Sequence, residues 1–80
     1  MRRAKGDYDR AIVDYTEAIR LNPQSVGGYN NRGNLHKGKG NLKDAIADYQ
    51  RYIDLGGGEK YGNQEEVEMR IRELQKRLKP

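Results

Sequence analysis

The chain of 80 residues has no cysteine, no tryptophan and no phenylalanine. Without cysteine there is no disulfide, no thiolate metal site and no thiol nucleophile, which is typical of a reducing compartment and favours a cytoplasmic location. No apolar run approaches the roughly 20 residues that span a bilayer, and no signal-peptide core follows Met1. The sequence therefore predicts neither a disulfide-stapled secreted domain nor a membrane protein.

Apolar side chains are scarce as well. They make up 34% of the chain, against 35% for charged residues, and six tyrosines carry all the aromatic bulk. Small domains bury little surface and have little net stability to spare. We therefore expect one small domain with a thin core.

The most informative feature that is present is an internal repeat. Lys5–Leu21 matches Lys39–Leu55 after a shift of 34 positions. The identical pairs are Lys5/Lys39, Gly6/Gly40, Ala11/Ala45, Ile12/Ile46, Asp14/Asp48, Tyr15/Tyr49, Ile19/Ile53 and Leu21/Leu55. A repeat of this length with helical spacing indicates stacked helix pairs rather than one closed globule.

Hydrophobic residues at helical intervals predict four helices, separated by proline and glycine. Gly6 is expected to form a turn before the first helix, Asp7 to cap it, and Gly56–Gly58 to form a flexible joint after the third. Gly33 falls in mid-helix, where glycine permits close helix approach. The predicted helices are Tyr8–Leu21, Val26–Gly38, Leu42–Leu55 and Gln64–Lys79.

Four residues in the middle of the chain resemble the motif of the tetratricopeptide repeat, a helix–turn–helix unit of about 34 residues. Tyr29 stands at the family's tryptophan position and Gly33 at its small residue, while Ala45 and Tyr49 match its alanine and the aromatic residue that follows. The resemblance implies an all-α fold of antiparallel helix–turn–helix repeats, a TPR-like α-solenoid fragment of four helices. It divides the single domain 1–80 into half a repeat (6–23), a full helical hairpin (25–55) and a capping helix (63–79).

Several residues depart from the family pattern. Arg32 and His36 replace its usual leucine and tyrosine, so the middle helix is expected to pack less apolar surface. Tyr52 stands where the first copy has Ala18, and this larger ring is expected to push the following helix outward. Gly57 replaces the family's proline and is expected to loosen the last joint.

The first repeated helix is preceded by only Met1–Lys5, too short to cover its apolar face. Repeat units do not bury their apolar faces alone. We therefore expect either a fragment of a longer array or a homo-oligomer, specifically a symmetric dimer in which the seam of the last helix covers the open face of the other chain. The predicted self-association residues are Tyr8, Ile12, Tyr15 and Ile19 on the first helix and Val67, Ile71, Leu74 and Leu78 on the last.

The family resemblance also implies a peptide-binding groove along the second helix. Its positions here are Asn30, Asn31, Asn34 and Lys37, with Gly27 beside them. Amides both donate and accept hydrogen bonds, and lysine adds a charge, so this row could hold a peptide backbone or a carboxylate. The alternative interpretation is a solvated polar face.

Catalytic chemistry has little support in the sequence. His36 is the only histidine, and a partly buried packing role is the simpler interpretation. Asp14 and Asp48 recur because of the repeat and are expected to be solvated or bonded within turns. We therefore predict a protein that is not an enzyme and has neither a metal site nor a cofactor.

The sequence thus predicts a scaffold module that binds a protein or peptide partner and itself. The alternative is a weakly basic helical module that binds nucleic acid, since the net charge is +4. Basic residues of the last helix alternate with four glutamates, unlike the single-sign surface of a dedicated nucleic-acid binder. Nucleic acid is therefore not the expected partner, and no membrane association is predicted.

Overall fold

The computed structural model describes residues 5–78, which form five α-helices. The bounds are α1 (Lys5–Leu21), α2 (Val26–Lys39), α3 (Leu42–Asp54), α4 (Gly57–Tyr61) and α5 (Gln64–Leu78). The all-α fold is confirmed, and its four longer helices are the predicted ones. Within the described range, no helix has the length and apolar character needed to cross a membrane.

Helix α1 begins earlier than predicted. It includes Gly6 and Asp7, so the turn and the N-cap expected there are wrong. Acidic Asp7 still lies in the first turn, where a negative charge favours the helix dipole. Met1–Lys5, expected to be too short to cover the apolar face of this helix, lies outside the described residues except for Lys5.

Glycines on α2 allow the neighbouring helices to approach closely. A methyl group added at Gly33 would lie 3.0 Å from two ring carbons of Tyr49 on α3. A methyl group at Gly28 would lie 3.1 Å from Ile19 on α1, and one at Gly38 would lie 2.8 Å from Tyr8. The close approach predicted for Gly33 is confirmed, and α2 contacts both of its neighbours in this way.

The segment after α3 is structured rather than flexible, which corrects the predicted glycine joint. Gly56 and Gly62 have φ angles of +86° and +70°, and they bracket the single helical turn of α4. Gly57 is buried, and a methyl group there would lie 2.5 Å from the ring of Tyr52. The Tyr52 hydroxyl donates a hydrogen bond of 2.8 Å to Asn63 Oδ1. The large ring therefore occupies space that Gly57 leaves free, and it helps hold this connection in place.

The core lies where α3 meets α2 and α5. Its buried residues are Ile19, Tyr29, Ala45, Tyr49, Tyr52, Val67, Ile71 and Leu74. Three of the four seam residues of α5 therefore pack inside the same chain, and only Leu78, 40% exposed, lies at the surface. Because α3 already covers Val67, Ile71 and Leu74, their assignment to a free self-association face needs correction.

Among residues 5–78, helix α1 is covered mainly by α2. Ile19 is buried, whereas Tyr8, Ile12 and Tyr15 are half-buried. Val13 and Leu21 are 65% and 71% exposed. In the described residues α1 packs against α2, and the rest of its apolar surface is left partly open.

Candidate peptide-binding groove

The four residues predicted to line a groove lie on α2. Asn31, Asn34 and Lys37 are exposed, whereas Asn30 is half-buried. Asn30, Asn34 and Lys37 follow each other at helical intervals of four and three residues, which places them on one face. Asn30 Oδ1 is enclosed without a hydrogen-bond partner, so Asn31, Asn34 and Lys37 carry the accessible polar groups of the row.

Helix α5 forms the opposite wall, and a cavity of about 360 Å³ lies between the two helices. It is lined on α2 by Lys37 alone of the four predicted groove residues, so Asn30, Asn31 and Asn34 do not line it. Its lining residues on α5 are Glu66, Met69, Arg70, Glu73, Leu74 and Arg77. Met69 is 61% exposed, so its side chain is accessible from this cavity. The groove thus combines an apolar surface with charged groups of both signs.

Tyr49 of α3 contacts one residue on each of these two helices. Its hydroxyl donates a hydrogen bond to Asn34 Oδ1 on α2. The Arg70 guanidinium of α5 lies 5.4 Å from the centroid of its ring, a distance suited to cation–π attraction. Burial raises the pKa of Tyr49 although the nearby Arg70 charge opposes this shift, so the phenol remains a neutral hydrogen-bond donor.

The charged groups of the groove are only partly paired. Arg70 lies 3.4 Å from Glu66 one turn earlier on α5. The ion pairs formed among residues 5–78 do not include Lys37, Glu73 or Arg77. These three groups are therefore available to a ligand, whereas Arg70 is held by Glu66 and by the Tyr49 ring.

A separate ion pair joins α2 to α3. Arg32 Nε and Nη2 donate hydrogen bonds of 2.7 Å each to the two carboxylate oxygens of Asp48. His36 Nε2 lies 3.7 Å from Asp48 Oδ2, and Arg32 Nη1 donates a 3.3 Å hydrogen bond to Thr16 Oγ1 on α1. The hydrogen bonds that Arg32 donates to Asp48 raise the pKa of Arg32, which stays charged.

This arrangement corrects one prediction and fits another. Asp48 is buried and paired rather than solvated, whereas Asp14 is exposed as expected. His36 is half-buried between helices, which agrees with a packing role. Among the described residues, no group of three or more histidine, aspartate or glutamate side chains could hold a metal ion.

Sequence reasoning missed the α5 side of the groove. Repeat spacing gives no register for a terminal helix outside the motif, so it does not predict that Met69, Arg70, Glu73 and Arg77 line a cavity. The available signal was Met69, an apolar residue outside the seam of Val67, Ile71 and Leu74.

The repeated helix pairs define an α-helical repeat protein. Two family models match the chain, one described as TPR repeat over residues 1–40 and one as Tetratricopeptide repeat over residues 26–55. The chain belongs to the tetratricopeptide repeat family. Such repeats generally mediate protein–protein interaction and are generally non-catalytic scaffolds.

The relatives found by sequence carry the same family name. Tetratricopeptide repeat protein 36 of Homo sapiens is 34% identical over 53 residues, which are 66% of this chain and 28% of the relative. The protein of that name from Xenopus tropicalis is 35% identical over 51 residues, which are 64% of this chain and 25% of the relative. The chain therefore aligns with about a quarter of the length of these relatives.

Proposed function

We propose that this chain binds an extended peptide segment of a partner protein in the groove between α2 and α5. The observation that carries this proposal is the cavity of about 360 Å³, which has the accessible amine of Lys37 on α2 and the exposed Met69 on α5. Ligand sites typically combine an apolar surface with a few placed polar groups. This combination favours a bound peptide over a solvated polar face.

The two walls supply different contacts. The Asn31 amide can donate to and accept from a peptide backbone, and Lys37 can neutralise a carboxylate. Met69 and the edge of Leu74 offer a surface for an apolar side chain, to which methionine adapts readily. The proposed ligand therefore has an apolar side chain close to an acidic group.

The test begins with selection of binding peptides from a displayed random library, with the full chain as bait. Asn31→Ala, Lys37→Ala and Met69→Ala are each expected to weaken the selected peptide by about 5- to 10-fold, roughly 1–1.4 kcal/mol. Lys43→Ala is the matched control, since Lys43 is exposed on α3 away from the groove. Equal affinity for all four variants would remove the groove assignment.

Self-association through α1 is a second proposal, supported by the half-buried Ile12 and Tyr15 and the exposed Leu21. The α5 seam gives it no support, because that seam is packed on α3 of the same chain. Light scattering at increasing chain concentrations should show the average molar mass rising above that of the monomer before about 100 μM is reached. A folded monomer throughout that range would end this proposal.

Nucleic-acid binding remains the weaker alternative. Arg70 is committed to Glu66 and Tyr49, so the basic residues of α5 do not act as one free surface. Phosphate contacts make affinity fall steeply with salt. Duplex binding with a steep salt dependence, abolished by Arg72→Gln and Lys76→Gln, would favour this alternative over the peptide groove.

A further inference from the structure

Met69 carries the one sulfur atom in the part of the chain that the structure describes. The 80 residues contain no cysteine and two methionines, of which Met1 lies outside the described range. Met69 is 61% exposed, so small oxidants in the solvent reach its thioether. Methionine at an accessible position is a common site of oxidation to methionine sulfoxide. Any reversible sulfur chemistry of the described residues is therefore located at Met69.

This thioether lies in the wall of the groove and outside the core. Met69 lines the cavity of about 360 Å³ together with Lys37 of α2 and Arg77 of α5. The α5 residues that pack in the core are Val67, Ile71 and Leu74. A chemical change at Met69 therefore alters the groove while the contacts that hold α5 on α3 remain in place.

We infer that Met69 is a reversible oxidation site whose sulfoxide form weakens peptide binding in the groove between α2 and α5. The inference rests on the proposed function, because it concerns the regulation of the same groove. The oxidant is a peroxide, and hydrogen peroxide is the simplest example. A lone pair of the Met69 sulfur forms a bond to one peroxide oxygen as the O–O bond breaks. The proton of that oxygen passes to the departing hydroxide, so the sulfur is oxidised to the sulfoxide and the peroxide is reduced to water.

The sulfoxide changes both kinds of contact that the proposed peptide makes. Its oxygen converts an apolar, adaptable side chain into a polar one, and an apolar side chain packed against it would bury a polar group. The oxygen also accepts hydrogen bonds, and the cations Lys37 and Arg77 line the same cavity. These two cations take no part in the ion pairs formed among residues 5–78. The acidic group of the peptide must therefore compete with the sulfoxide for their N–H donors.

Oxidation at this position differs from oxidative damage to a core. Changes at exposed positions usually alter stability little, so Tm of the oxidised chain should lie within about 3 °C of the reduced value. Methionine sulfoxide reductases reverse the reaction. They oxidise two thiols to a disulfide while the sulfoxide oxygen leaves as water, which restores the thioether. The folded chain is thus expected to pass between a binding and a weakly binding form.

The test uses the full chain and the peptide selected from the displayed library against its reduced form. Hydrogen peroxide is added until mass spectrometry of proteolytic fragments shows that Met69 has gained one oxygen. Affinity for the selected peptide should then fall by about 5- to 10-fold, as for Met69→Ala. Treatment with the two reductases, one for each sulfoxide epimer, should restore the original affinity.

Met69→Leu is the matched control, because leucine is apolar and carries no sulfur, while Met1 is kept. Whatever the affinity of this variant for the selected peptide, peroxide should not change it. An equal fall in both chains would assign the effect to other groups and overturn the inference. Resistance of Met69 to peroxide that oxidises free methionine would also overturn it.

The remaining outcomes separate the switch from the groove itself. Unchanged affinity after oxidation of Met69 would overturn the inference and leave the peptide groove standing. Loss of affinity together with a large fall in Tm would assign the effect to unfolding, and would overturn it as well. If the reduced chain selects no peptide, or if Met69→Ala leaves the affinity of the selected peptide unchanged, the Met69 wall of the groove is not a binding surface and the inference falls with it.

Discussion

Asp48 and Asp14 occupy equivalent positions of the repeat but have opposite environments. Asp48 is buried and paired with Arg32, with side-chain exposures of 7% and 19%. Asp14 is exposed on α1. Removing one partner of a buried pair leaves the other charge uncompensated, whereas a surface carboxylate contributes little. The pair of residues thus separates the effect of burial from the effect of residue type.

Asp48→Asn is expected to lower the free energy of unfolding by about 3 kcal/mol, the low end of the usual range because Arg32 keeps some contact with water. Urea denaturation of the full chain measures this change. Asp14→Asn is the matched control and should change stability by less than about 0.5 kcal/mol. Similar losses for the two variants would show that the Arg32 pair contributes nothing specific.

Glycine substitutions give a second contrast between packed and open positions. Gly57→Ala should destabilise the chain by about 1–3 kcal/mol, because the added methyl group would lie 2.5 Å from the Tyr52 ring. Gly27→Ala should stabilise it by up to about 1 kcal/mol, since alanine favours a helix and the site is open. Thermal unfolding should move Tm in opposite directions. A rise in Tm for both variants would contradict the close packing of Tyr52.

At the scale of the helix, α2 and α5 have different reasons to be helical. Four glycines weaken α2, and its buried residues contact α1 and α3. Helix α5 has Glu65 and Glu66 in its first turn and Lys76 and Arg77 in its last, which suits the helix dipole. Tertiary contacts therefore account for α2, whereas local sequence supports α5.

Isolated peptides should separate these two cases. A peptide of residues 25–40 is expected to be unfolded in water, and a peptide of residues 63–78 to be measurably helical at low temperature, though short helices are marginal alone. Far-ultraviolet circular dichroism at about 5 °C measures the difference. Equal helicity would mean that packing is not what makes α2 a helix.

Much of the helical pattern could be predicted because periodicity and punctuation are local. The ends of α2, α3 and α5 were predicted to within one residue where the structure describes them, and Gly33 was assigned its close contact correctly. The joint at α4 could not be predicted, because it depends on the Tyr52 ring filling the space beside Gly57. Local signals do not specify such a contact.

The residues of the groove were likewise only partly predictable from local sequence signals. On its α2 side, Lys37 followed from the family resemblance, which assigns groove positions by their place in the repeat, whereas Asn30, Asn31 and Asn34 do not line the cavity. Its α5 side depends on how the terminal helix lies across α3, and this is set by burial of Val67, Ile71 and Leu74. The burial of Asp48 likewise depended on Arg32, 16 residues away in sequence.

At the scale of the whole molecule, Tyr49 connects three helices, since it belongs to α3, bonds to Asn34 on α2 and lies beneath Arg70 of α5. Burial raises its pKa, so its neutral form is favoured in the folded chain. A raised pKa contributes stability below the unfolded value of about 10, and this is lost as pH rises through the folded value. The fold should therefore weaken at alkaline pH.

Tyr49→Phe is expected to reduce this alkaline loss, because no phenol remains to ionise at that site. At neutral pH the variant should lose about 1 kcal/mol with the hydrogen bond to Asn34. Urea denaturation between pH 8 and pH 11 or so compares the slopes. Tyr61→Phe, at an exposed position, should retain the parent's slope. An unchanged slope for Tyr49→Phe would assign the alkaline loss to other groups.

Helix α3 packs against α2, α4 and α5, whereas α1 packs against α2. Helix α1 can therefore unfold locally while the other helices stay packed. Helix α3 can unfold only when α2, α4 and α5 have separated from it. Amide hydrogen–deuterium exchange in native buffer should be slowest in Ala45–Tyr52 and much faster in Ala11–Ala18, although these two segments are copies of one repeat. The chain thus carries its slowest-exchanging segment in its middle, and the exchange pattern along the sequence should rise from α3 toward α1 rather than from the centre of each helix toward its ends.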